Sequence, residues 1–294
     1  MNAELKINPT RLANNSPNRM AKKARPFQKE SKSQIKELGI SVTNKCNLSC
    51  KGCGFNVPNQ ITPTLSNSLD EHLTSLAQIK AVGVFIEKAV IVGGEATLNN
   101  DLTAFLNELR KSETCNQIEL VTNGLYPRGV TPEVLATIDS LVISDYICSP
   151  EFADLWRTYA IQNGYTGPID FRRKDAWDDL KGELENRDES VQTHWNTCFY
   201  RSYDVTLERG RLFSCSRLAK KGWDDQGLLI TPKLCITDIA HYLNSETPRL
   251  GCYSCATVNR PSLIPVAEQL NTNKEKIYSK AKAYLTKETS YDFK

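Results

Sequence analysis

Three cysteines stand within eight residues of one another: Cys46, Cys50 and Cys53, spaced C-x3-C-x2-C. Thiolates are soft ligands suited to iron–sulfur clusters, zinc or copper(I). A structural zinc site takes four ligands, commonly as two pairs. This loop offers three, with no His or fourth Cys close by in sequence. Three thiolates on a four-iron cluster leave one iron open to a substrate or cofactor. Reduced core cysteines are the plainer alternative, but the neighbours Asn47, Ser49, Lys51 and Gly52 are poor core residues.

A second set lies near the C-terminus. Cys198 precedes a hairpin pattern and Cys215 closes it, and Cys252-Tyr253-Ser254-Cys255 follows. Four thiolates satisfy tetrahedral zinc, and they equally hold a closed four-iron cluster. Cys235 lies between them and could replace one ligand, whereas Cys115 and Cys148 read as core residues. His72, His194 and His241 show no ligand spacing, although His194 is close to Cys198.

The elements that must position these residues are legible from periodicity. Glu37–Asn44 reads as a strand delivering the first cysteine loop, and residues 54–66 read as loop. Ser68-Leu69-Asp70-Glu71 has the form of a capping box opening a helix to about Val82. Ala89–Val92 is an apolar run ending in Gly93-Gly94-Glu95, as expected of a doubly buried parallel strand. The two glycines allow a close backbone approach to a ligand, and Glu95 is suited to accept from an ammonium group. A helix over 101–112, a strand at Ile118–Val121 ending in Thr122-Asn123-Gly124, and a helix capped by Thr131-Pro132-Glu133 come next. Strand Leu141–Asp145, a helix opened by Ser149-Pro150-Glu151, and strand Pro168–Phe171 ending in Arg172-Arg173-Lys174 complete the alternation. Such β-α alternation predicts a parallel sheet with covering helices, its ligand residues at the strand C-terminal ends. Beyond it, Tyr203–Leu207 and Arg211–Ser214 flank Glu208-Arg209-Gly210, a hairpin with glycine at its turn.

The first octet resembles the C-x3-C-x-aromatic-C signature of the radical S-adenosylmethionine (SAM) superfamily. In that family a [4Fe-4S] cluster on three cysteines binds SAM at its open iron and splits it to a 5′-deoxyadenosyl radical. The residue before the third cysteine is normally aromatic and packs near the adenine. Here it is Gly52, and Phe55 is the nearest aromatic and the candidate for that contact. The resemblance further implies SAM contacts from Gly93, Gly94 and Glu95, which resemble the GGE motif, from Asn123 in Thr-Asn-Gly, and from Ser144. It supplies the shape as well, a partial (β/α)6 barrel over residues 37–195. The later set resembles the Twitch module, a shortened SPASM domain, in which Cys198, Cys215, Cys252 and Cys255 would hold a second, auxiliary [4Fe-4S] cluster.

These expectations divide the chain into a basic, flexible leader (1–36), the barrel (37–195), an auxiliary-cluster module (196–260) and a helical tail (261–294). Residues 1–36 hold nine basic and two acidic residues, a charge of +7 within a chain whose net charge is +3, leaving −4 elsewhere. A basic arm could touch nucleic acid, but it lacks interleaved aromatics apart from Phe27, and nucleic-acid binding is not expected. The sequence has no apolar run of about eighteen residues and no apolar signal core, so a cytoplasmic chain off the membrane is expected. Two clusters imply hydrogen abstraction followed by electron transfer to the auxiliary cluster, a net oxidation. A flavodoxin- or ferredoxin-type donor would supply electrons. Arg172 and Arg173 fall near the mouth of the barrel as candidate catalytic residues, better suited to binding an anion than to acting as a base. The expected substrate is a small biosynthetic molecule such as a sugar or cyclitol; the alternative is a ribosomal peptide.

Overall fold

The computed structural model describes residues 27–29, 33–59, 69–179, 188–222, 224–259 and 262–286. Most of the leader and the helix cap expected at Ser68 lie outside these residues.

Five parallel strands run in tandem with helices between them. They are β2 (Ser33–Ser41), β3 (Phe85–Val92), β4 (Cys115–Thr122), β5 (Ser140–Ser144) and β6 (Ile169–Arg172). β1 (Phe27–Lys29) adds antiparallel to β2. The covering helices are α1 (Leu69–Ala81), α2 (Leu102–Ser112), α3 (Pro132–Thr137) and α4 (Pro150–Gln162). This is a mixed α/β fold, a partial TIM-like barrel. One row across the sheet is Ile40, Ile91, Leu120 and Leu141, each fully buried and paired in register. Alternation places polar residues on the other face. There Lys88 bridges Glu37 at 2.8 Å and Glu119 at 3.5 Å, and Arg172 reaches Glu119 at 3.5 Å.

The leader expected to be flexible to residue 36 ends sooner. Residues 33–36 belong to β2, where Ile35 is fully buried and pairs with Phe27. Burial of Ile35 gives this segment the apolar contact that its basic composition hides.

A short β7 (Ala176–Asp178) and then α5 (Asp188–Thr197) and α6 (Phe199–Tyr203) lead to β8 (Thr206–Glu208) and β9 (Arg211–Phe213). These two strands form the expected hairpin. Arg209 and Gly210 both have positive φ, 50° and 62°, the backbone that a tight two-residue turn demands. The hairpin does not stand apart as a module. β8 pairs parallel to β2, extending the main sheet to the order β10-β9-β8-β2-β3-β4-β5-β6, where β10 is Leu228–Leu229. α7 (Ser216–Lys220), α8 (Ile236–Leu243), β11 (Leu263–Pro265) and α9 (Lys274–Leu285) complete the described chain. The tail expected to be helical therefore begins with a strand, because Leu263, Ile264 and Pro265 pair with β7. Among the described residues, no helix is long and apolar enough to cross a membrane.

Candidate active site

The first cysteine loop leaves the C-terminal end of β2. Leu48, 4% exposed, and Cys50, 6% exposed, anchor it in the core. Cys46 and Cys53 are half-buried. The three sulfurs lie within electrostatic reach of one another, and burial pushes Cys46 up to about 12 and Cys50 to about 11. Such thiols keep their protons until a metal displaces them. No three His, Cys, Asp or Glu side chains among the described residues close on one point as for a single metal ion. A multi-iron cluster makes no such demand, since each thiolate takes a different iron. Three thiols of one loop within reach of one another suit the three-thiolate demand of such a cluster.

Gly93 and Gly94 make a close approach, but to the loop itself. A Cβ on Gly94 would lie 2.4 Å from the Lys45 carbonyl oxygen, and one on Gly93 would lie 2.6 Å from that of Thr43. The gap is closed by Gly94 N donating to Thr43 O at 2.8 Å and Glu95 N to Lys45 O at 2.7 Å. The end of β3 thus holds the entry of the cysteine loop.

Glu95, the carboxylate expected to meet an ammonium group, has donors of the protein itself around it. It is 2% exposed and turned inward. Its Oε1 accepts from Thr97 N (3.2 Å), Thr97 Oγ1 (2.7 Å) and Thr122 Oγ1 (2.7 Å), and its Oε2 accepts from Asn123 N (2.7 Å). Burial raises its pKa, and these four donors oppose the rise. Glu95 ties the end of β3 to the end of β4. Asn123 continues the tie, its Nδ2 donating to Asn47 Oδ1 at 2.7 Å and reaching Cys46 Sγ at 3.9 Å. Asn123 therefore stands against the cysteine loop.

Ser144 ends β5 beside Arg172 of β6 and hydrogen-bonds Tyr146. Tyr146 lies within electrostatic reach of all three cysteines and packs edge-on against Trp177 at 5.4 Å. Sequence reasoning missed Tyr146, whose one signal was an aromatic two residues past a strand-end serine. Arg172 and Arg173 do not converge as a free cationic pair. Arg172 bonds Asp170 at 3.3 Å besides Glu119, and Arg173 Nε donates at 2.7 Å to Asp145, which is fully buried. Their charges are met within the protein.

Gly52 is the point where the octet differs from the superfamily signature, and its surroundings supply a reason. Its φ is +66°, and an ideal Cβ there would lie 2.0 Å from Ile264 Cδ1. β11 occupies the space a side chain would need. Phe55 lies on another side, its ring 5.6 Å from Lys220 Nζ.

The second set is gathered round one space, without three of its sulfurs closing on a single point. Cys198, Cys215, Cys252 and Cys255 all line one cavity of about 380 Å³, solvent at its mouth included. His194, Trp195, Arg201, Arg217 and Thr257 share its wall. Burial raises Cys198 and Cys215, and pushes Cys252 to about 12. The charges of Arg201 and Arg249 act on this set, as suits a site that becomes anionic when its thiols lose protons. His194 approaches Thr257 Oγ1 at 3.0 Å, which meets Cys255 Sγ at 3.1 Å. Cys235 is exposed and caps α8 through Asp238 and Thr237, away from this wall.

The family description "Radical SAM superfamily" matches residues 40–154. A GTP 3′,8-cyclase of Peptoclostridium acidaminophilum is 35% identical over 94 residues, covering 31% of this chain and 28% of that protein. One of Geobacter sulfurreducens is 34% identical over 110 residues, covering 36% and 31%. The chain thus spans under a third of these relatives' length. Among solved structures, BtrN in complex with AdoMet and 2-DOIA is similar at TM-score 0.45 and 13% identity, over 71% of this chain and 82% of that one. Streptococcus suis SuiB bound to precursor peptide SuiA is similar at TM-score 0.37 and 14% identity, over 76% and 70%.

Proposed function

The chain carries a radical SAM domain at residues 40–154, and from that premise we propose an enzyme that abstracts hydrogen from a small biosynthetic substrate and oxidises it by two electrons. One observation carries the oxidation: four further cysteines from distant parts of the chain line one cavity. Cys46, Cys50 and Cys53 would hold the first [4Fe-4S] cluster, and Cys198, Cys215, Cys252 and Cys255 the second. Bound there, the clusters and SAM supply one-electron cleavage of SAM and an acceptor for the electron left on the substrate.

The protein's own residues have simpler tasks. Gly93, Gly94, Glu95 and Asn123 fix the first loop on the ends of β3 and β4, and Ser144, hydrogen-bonded to Tyr146 near the three cysteines, would offer SAM a polar contact. Phe55 remains the aromatic candidate for the adenine. The salt-bridged face of the sheet, with Glu37, Lys88, Glu119, Asp170 and Arg172, suits a polar, hydroxylated substrate such as a sugar or cyclitol. There Arg172 would position substrate rather than move protons, because arginine stays protonated. Electrons would come from a flavodoxin- or ferredoxin-type donor in the cytoplasm.

Anaerobic protein given SAM and dithionite should produce 5′-deoxyadenosine. Cys46→Ala, Cys50→Ala and Cys53→Ala combined should abolish it. Retention of that product in the triple variant would refute the reading.

A further inference from the structure

Gln269 lies 219 residues from Cys50, on the segment that follows β11, outside residues 40–154. Its backbone bridges that of Cys50. Around this bridge Leu270 N donates to Ser49 O at 2.8 Å, and Lys51 N donates to Glu268 O at 2.7 Å. The side chain is held at both ends. Its Oε1 accepts from Ser49 N at 2.8 Å, while its Nε2 donates to Ala267 O at 2.7 Å and to Cys50 Sγ at 3.1 Å. The orientation of the amide follows from its partners, since a flipped amide would set its NH2 against the Ser49 N–H and its oxygen against the Ala267 carbonyl. The bond to Cys50 is shorter than the contacts made to Cys46 by Leu48 N at 3.4 Å and Asn123 Nδ2 at 3.9 Å.

Hydrogen bonds to cluster thiolates are among the factors that set a cluster's potential. An N–H aimed at the sulfur draws off negative charge and so favours the more negative, reduced cluster. We propose that Gln269 is a positioning residue that raises the reduction potential of the cluster on Cys46, Cys50 and Cys53. The C-terminal segment thereby governs how readily the first site accepts its electron. This rests on the radical SAM reading of that site.

The test is an EPR-monitored redox titration of the reconstituted full chain, following the cluster signal that changes when SAM is added. Gln269→Glu keeps the acceptor for Ser49 N but loses the donor to Cys50. Gln269→Leu loses the donor without adding charge. Both should lower the midpoint, with an about tenfold change in the reduced-to-oxidised ratio, or about 59 mV for one electron. Melting of the metal-free variants shows whether each folds, and Gln269→Glu keeps the test open if Gln269→Leu does not. An unchanged midpoint in folded variants overturns the proposal, as does a shift in Gln269→Glu alone when both fold, which would assign the effect to charge. The absence of any SAM-sensitive cluster signal in the parent protein would instead refute the functional reading.

Discussion

At the scale of single residues, Glu95 and Gly52 have the sharpest consequences. Glu95 accepts from four donors in a buried position. Glu95→Gln puts an NH2 group against one or more of them and leaves a buried donor unpaired, which should cost about 1–3 kcal/mol of stability in denaturant titration of the metal-free protein. Undiminished stability would mean that Glu95 is not the tie between β3 and β4. Gly52→Ala should cost roughly 1–2 kcal/mol from the left-handed backbone alone, and more from the clash with Ile264. Gly52→Ala combined with Ile264→Ala should recover the clash part and leave the backbone part. Strict additivity of the two variants would show that the residues are not in contact. Gly52 also shows what motif reading leaves hidden. Its type is visible in the sequence, but the reason lies in β11, more than two hundred residues away.

At the scale of elements, α7 links the two cysteine sets. Cys215 caps its start, and Lys220 at its end is 5% exposed. Lys220 Nζ bonds Ser41 Oγ at 2.6 Å and Asn44 Oδ1 at 2.9 Å at the entry of the first loop, and pairs with the buried Glu208 at 2.7 Å. Lys220→Met should destabilise the metal-free chain by about 1–3 kcal/mol, because the buried Glu208 loses one charged partner and keeps Arg209. Adding Glu208→Leu should restore part of the loss; a double variant worse than the single would contradict the pairing. The parallel strands and their helices were legible because their patterns are local, although the run Ala89–Val92, expected to be buried on both faces, buries Ala89 and Ile91 on one face and leaves Val90 and Val92 half-buried on the other. The union of β8 with β2 and the return of residues 263–270 over the first cysteine loop were not. Both depend on pairings between segments far apart in the chain, and Thr206-Leu207-Glu208 reads as an edge hairpin from its own residues. The extension of β2 to Ser33 was masked by basic composition around a single buried Ile35.

At the scale of the whole molecule, the two cysteine sets carry one proposal together, that the chain would hold two iron–sulfur clusters, one open and one closed. The second set was legible as a group by count and spacing, and the structure brings all four cysteines to one cavity while setting Cys235 apart. What spacing left open was the choice between zinc and iron, since four thiolates satisfy either. Metal analysis of anaerobically reconstituted protein decides it. The parent chain should hold about eight irons, falling to about four when Cys252→Ala and Cys255→Ala are combined. SAM cleavage should persist in that variant while oxidised product is lost. About four irons and one zinc in the parent chain would contradict a second cluster and leave the C-terminal cysteines a structural site.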